Sequence, residues 1–133
     1  AIKRYQNRIS GPLLDRIDLH IDVPPLHASE LQDTQVVEDS ATVRERVIQA
    51  YEWQMQRQAC LNMALSPKQL EQFAPLDGQA ALIFEKAQQR LNLSARGYHR
   101  ILRVARTIAD LAQSEHIQTG HLTEALSYRQ QNA

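Results

Sequence analysis

Between residues 16 and 23 the chain alternates. Ile17, Leu19, Ile21 and Val23 are apolar, while Arg16, Asp18, His20 and Asp22 are polar. Period two marks a strand with one buried face, and Pro24 with Pro25 ends it. The preceding Gly-Pro-Leu-Leu reads as a turn and a short apolar patch. No other stretch alternates as cleanly. A strand needs a neighbour for its ladder, so its sheet is expected to lie outside this sequence, or the segment is loose. The chain also begins without Met, and a longer parent protein is expected.

Residues 26–38 form a polar connection, after which the period lengthens to that of helices. Asp39 or Ser40 can cap a helix running to about Leu61, with Val43, Val47, Tyr51 and Met55 at four-residue steps on its apolar side. Ser66, Pro67 and Gln69 have the layout of a capping box and predict a short helix ending near Phe73, before Pro75. Asp77 caps a third helix, with Ala81, Ile83, Phe84, Ala87 and Leu91 inward. Ser94 opens a fourth that runs to about Glu115. Thr119 caps a fifth, with Leu122, Ala125 and Leu126 facing the core. The short linkers suit helices packed against one another. The expected fold is all-α: a small bundle of about five helices over residues 39–133, preceded by an extended arm, residues 1–38. Cut off from its sheet, that arm is expected to be flexible.

The fourth helix carries the most informative pattern. At about 100° per residue, Tyr98, Ile101, Leu102, Ala105, Ile108, Ala109 and Ala112 gather on one side. Arg96, Arg100 and Arg103 gather opposite, with Arg106 at their flank. No acid lies between Ser94 and Asp110. Guanidinium is permanently charged and forks onto phosphate oxygens, so such a face suits an anion. It equally suits a solvated surface whose arginines pair with acids of neighbouring helices. Binding along a nucleic-acid backbone is a third reading, although no helix-turn-helix is evident.

Composition narrows these readings little. Fifteen basic and fifteen acidic residues cancel, so net charge does not advertise nucleic acid or membrane. No apolar run approaches the roughly 18 residues needed to span a bilayer. Cys60 is the single cysteine and cannot form an internal disulfide, which points to a reducing, cytoplasmic compartment. Among Ala59, Leu61 and Met63 it reads as a packed small hydrophobe rather than a nucleophile. Asp18, His20 and Asp22 share a strand face, but same-face neighbours lie about 6–7 Å apart, too far to share one ion without a bend. No metal site is expected there.

Two stretches taken together are more specific: Gly11 to Pro24, reading GPLLDRIDLHIDVP, and Leu93 to Leu111, reading LSARGYHRILRVARTIADL. They resemble the C-terminal part of magnesium-chelatase-like AAA+ ATPases, most closely the competence-associated ComM/YifB-type branch, and the resemblance covers nearly the whole chain. It implies a homo-oligomeric, hexameric ring with ATP and Mg2+ between subunits. It also implies a role in DNA processing during transformation, as a branch-migration motor. The strand would then be the last of the AAA+ core sheet, and the helices the lid over the nucleotide. By the same resemblance, Arg16 is the arginine finger that reaches a neighbour's site. Arg96 is the sensor-2 residue at the γ-phosphate, with Arg103 as a second candidate. The sequence holds no G-x-x-x-x-G-K-[ST] phosphate loop and no Walker-B acid, so the fragment alone is expected to bind no cofactor and catalyse nothing. The alternative is a stand-alone helical module for nucleic acid or protein.

Overall fold

The computed structural model describes residues 2, 4, 8, 10–32 and 37–129. The expectation of a flexible arm falls in part on positions outside these, as does the end of the bundle beyond residue 129. Among the described residues the fold is helical, with a bundle preceded by an arm. The arm holds α1 (Gly11–Asp15) and α2 (Ala28–Leu31). The bundle holds α3 (Ser40–Gln58), a 3-10 turn (Asn62–Ala64), α4 (Pro67–Phe73), α5 (Gly78–Leu91), α6 (Ala95–Leu111) and α7 (Thr119–Ser127).

The helix starts follow local chemistry. The Asp39 carboxylate accepts from the Thr42 amide and hydroxyl at 2.8 and 2.6 Å; both bonds favour its charged form and hold its pKa below the ordinary range. Ser66 and Gln69 exchange the two reciprocal bonds of a capping box. Asp77 and Ser94 cap α5 and α6 through the amides of Ala80 and Gly97. The start of α7 differs: Thr119 is its first helical residue, and Gln118 is the cap. The imidazole Nδ1 of His121 accepts from the Gln118 amide at 3.0 Å.

Leu65, Leu70, Phe84, Ile101, Leu102, Ile117, Leu122 and Leu126 fill the core, interleaved with alanines that let α5, α6 and α7 approach closely. Tyr98 stacks on Phe84 with ring centroids 4.3 Å apart. A parallel bridge between Leu76 and Ile117 ties together the segments that lead into α5 and α7. Ile101, Leu102, Ala105 and Ala109 are buried as their spacing predicted, and Ile108 is half-buried.

The two readings of the alternating segment are decided in favour of the loose one, and two further expectations are corrected. The alternating segment at 16–23 forms no strand. It runs irregularly, and Ile17, Leu19, Ile21 and Val23 are exposed, because no described strand lies beside it to complete a ladder. The Gly-Pro-Leu-Leu that precedes it, read as a turn and a short apolar patch, belongs to a short helix, with Ser10 Oγ accepting from the Leu13 amide at 3.2 Å. The supposed inner stripe of α3 faces outward: Val43, Val47, Tyr51 and Met55 are 38–52% exposed. The buried residues of α3 are Ala50 and Gln54.

A polar cluster attaches α3 instead. The Asp110 carboxylate is fully buried and receives both prongs of Arg57, at 2.7 and 3.1 Å. Arg106, 2% exposed, adds an ion pair at 3.0 Å, and Asn62 Nδ2 donates at 2.9 Å. Asn62 in turn accepts from Arg57 and Gln58, and its amide donates to Gln54 Oε1. Arg106 Nη2 and Nη1 also donate to the carbonyls of Ser114 and Glu115 at 2.8 and 3.0 Å. Burial lowers the pKa of Arg106, and the Asp110 charge opposes that. The same bonds explain why α6 ends at Leu111, four residues before the predicted Glu115. Residues 112–115 turn back on the helix, with Gln113 at a left-handed φ of 56°.

Two stability predictions follow from this packing. Ile101→Ala should cost about 2–5 kcal/mol by leaving a cavity, read by chemical denaturation. Asp110→Ala leaves Arg106 buried without its carboxylate and should cost about 3–5 kcal/mol. A loss under about 1 kcal/mol at Asp110 would mean that the cluster does not hold α3 to α6.

Candidate functional site

The first turn of α6 is the focus of the candidate site. Its cap, Ser94, satisfies the Gly97 amide. The amides of Ala95 and Arg96 come too early in the helix to have an intrahelical acceptor. These donors and the helix dipole favour an anion at this end. Arg96 stands there exposed, and its guanidinium has no ion pair or hydrogen bond among the described residues.

The other arginines of α6 are engaged. Arg100 pairs with Asp18 of the arm at 2.7 Å. Arg103 donates to the Leu65 carbonyl from Nε and Nη2, at 3.2 and 2.8 Å. It is half-buried rather than accessible, and burial, with help from the Arg100 charge, lowers its pKa against the opposing pull of Asp18. Arg106 lies in the buried cluster. Of the four charges that looked uncompensated along the sequence, three are engaged, and Arg96 has no partner among the described residues.

The arm brings Arg16 to the same region. Asp15 and Arg16 close α1, and Asp15 Oδ2 lies 3.5 Å from Ser94 Oγ, the α6 cap. Arg129, just past α7, donates to the Asp15 carbonyl at 3.3 Å and approaches its carboxylate at 3.8 Å. The His20 amide donates to the Tyr128 carbonyl at 2.9 Å. Asp15 and Asp18, the obvious local partners for Arg16, are thus turned toward the bundle. Arg16 itself is exposed and has no side-chain partner among the described residues.

Asp15 and Ser94, 79 residues apart, thus meet at one seam, which sets the chain at Arg16 and the start of α6 at Arg96 on either side of it. Arg103 points instead to the Leu65 carbonyl, just past the 3-10 turn. Sequence reasoning missed Arg129, which had no pattern to single it out. It also missed the Arg57–Asn62–Asp110 cluster, whose one local sign is the four-residue spacing of Arg106 and Asp110. Asp18 is bound to Arg100, and the His20 ring meets the Leu14 carbonyl at 3.3 Å.

Comparison with known proteins bears on the same two stretches. Residues 37–129 match the family described as magnesium chelatase, subunit ChlI C-terminal, and residues 1–31 match magnesium chelatase, subunit ChlI. Competence protein ComM of Haemophilus influenzae is 50% identical over 129 residues, covering 96% of this chain and 25% of that protein. Uncharacterized protein YifB of Escherichia coli is 46% identical over 127 residues, 95% of this chain and 25% of the relative. Uncharacterized protein Mb2921c of Mycobacterium bovis is 37% identical over 136 residues, 98% of this chain and 27% of the relative. The chain spans about a quarter of the length of these relatives. On the match over residues 37–129, the chain belongs to the magnesium chelatase ChlI family through its C-terminal domain.

Proposed function

We propose that this chain is the lid and arginine-finger segment of an AAA+ ring ATPase, which couples ATP binding and hydrolysis to movement of the lid. One observation carries the reading. Of the arginines at the arm–lid seam, Arg100 and Arg129 are tied to arm acids, whereas the guanidinium groups of Arg16 and Arg96 have no partner among the described residues.

In this reading Arg96 meets the γ-phosphate at the α6 N-terminus, where the helix dipole adds to its charge. We assign that sensing role to Arg96 over Arg103, because Arg103 holds the Leu65 carbonyl. Arg16 projects from the end of α1 into the site of a neighbouring subunit and neutralises charge on the transferring phosphoryl group. The phosphate loop and the Mg2+ ligands would come from parts of the protein that this chain does not span. The work of such a ring is proposed to be DNA processing, by kinship with the competence protein of Haemophilus influenzae. The alternative of a stand-alone nucleic-acid module drew on a stripe of free arginines, and most of that stripe is engaged within the fold.

Two sets of variants of the full-length protein test this. Arg96→Ala should weaken nucleotide binding or hydrolysis and leave the melting temperature of the lid unchanged, since an exposed guanidinium adds little stability. Arg103→Ala should do the reverse, destabilising the lid by about 1–3 kcal/mol through the lost bonds to Leu65. Impaired turnover from Arg103→Ala alone, with the lid folded, would overturn the assignment to Arg96.

Arg16→Ala should lower hydrolysis by about 10³–10⁵ while sparing ATP binding. Mixing it with an inactive phosphate-loop variant should restore activity, because some interfaces then pair an intact loop with an intact finger. Co-assembly is confirmed separately by pull-down of differently tagged subunits. A tethered pair containing one complete interface gives the decisive measurement, and no hydrolysis there would remove the role in trans.

A further inference from the structure

The segment that carries Arg16 is tied to the lid on both sides of that residue. On the N-terminal side, Arg129 holds the carbonyl and carboxylate of Asp15. On the C-terminal side, Arg100 holds Asp18 at 2.7 Å, and the Tyr128 carbonyl holds the His20 amide at 2.9 Å. Between these ties, Arg16 caps α1 through its own amide, which donates to the Leu13 carbonyl at 3.1 Å. Its φ and ψ of −85° and −11° are set by that cap.

The Arg129 side chain is only 7% exposed, and its Nε is buried with no hydrogen-bond partner among the described residues. Burial lowers its pKa, while Asp15 and Asp18 act in the opposite sense. Taking a guanidinium out of water is unfavourable unless its donors are met. Arg129 is therefore a poor choice for stability alone at a position where an apolar side chain could pack. Its fork does what an apolar group cannot: it fixes the direction and register of the backbone at Asp15, one residue before Arg16.

We propose that Arg129 and Arg100 are positioning residues for Arg16, clamping residues 15–20 to the lid so that Arg16 and the α6 N-terminus move as one body. The proposal rests on the reading of Arg16 as a finger. Under it, a lid that tilts on meeting nucleotide carries the finger of its own subunit with it.

Two measurements separate the clamp from the finger. The first is amide hydrogen exchange at His20 in the full chain, with circular dichroism melting to confirm that the bundle is folded. The His20 amide is protected while the arm is seated, and Arg129→Ala should make it exchange at the rate of an unstructured peptide. The second is steady-state ATP hydrolysis. Misplacing a catalytic group by about 1 Å can cost about 100-fold, so Arg129→Ala should lower kcat by about that factor and leave KM for ATP little changed. A merely structural residue would lower the melting temperature and leave the kcat of folded protein intact. The exchanged pair Asp18→Arg with Arg100→Asp guards against misfolding of Arg129→Ala: each single change should lower kcat, and the double change should recover much of it.

Fast exchange at His20 in the unaltered chain would show that no clamp exists. Fast exchange in Arg129→Ala with kcat unchanged would show a clamp that does not position Arg16. Full hydrolysis by Arg16→Ala would remove the finger and the positioning role together, while the exchange rates would still report whether the arm is held.

Discussion

A carboxylate with no exposed surface, Asp110, organises the bundle. A buried charge is tolerated only when its partners are all in place, and here they come from α3, the 3-10 turn and α6 itself. Arg106 extends the cluster to the carbonyls of Ser114 and Glu115, at the turn into α7. The arrangement fixes the roll of α6 about its axis. With Asp110 and Arg106 turned inward, Ile101, Leu102, Ala105 and Ala109 enter the core. The N-terminal turn with Arg96 is left at the surface. The position of the candidate sensor therefore depends on a charge cluster several turns away.

The same cluster explains an otherwise weakly anchored helix. α3 is long, yet its buried residues are one alanine and one glutamine, and most of its large apolar side chains are exposed. Hydrophobic burial gives little grip there. The paired prongs of Arg57 on Asp110, and the Gln54 bond to the Asn62 amide, supply direction where apolar packing supplies little.

Arginine does four different jobs within one helix. Arg106 fills a buried ion-pair cluster, Arg103 satisfies a loop carbonyl, Arg100 binds the arm, and Arg96 has no partner among the described residues. The residue type is the same in each case. What differs is what the fold places opposite: a buried carboxylate, an orphan carbonyl, an exposed aspartate or solvent. The arm is sorted in the same way. Asp15 and Asp18 are drawn to Arg129 and Arg100, and this leaves Arg16 without a competing local partner.

Much of the secondary structure was legible from the sequence by itself. Asp39, Ser66, Asp77 and Ser94 announce their helices because a cap acts within one turn of its own position. The core face of α6 was legible for the same reason, since its period is a property of the helix alone. The paired stretches around Arg16 and Arg96 also identified the family. Tertiary structure decided the rest. It set the outward face of α3, the early end of α6, the absence of a described strand at 16–23, and which arginines were left free. Each of those outcomes turns on a partner distant in sequence. Arg57 and Asp110 are 53 residues apart, Arg103 and Leu65 are 38, and Arg129 and Asp15 are 114. A one-dimensional pattern can show that a side chain is charged or apolar, but only the folded chain determines what stands within 3 Å of it.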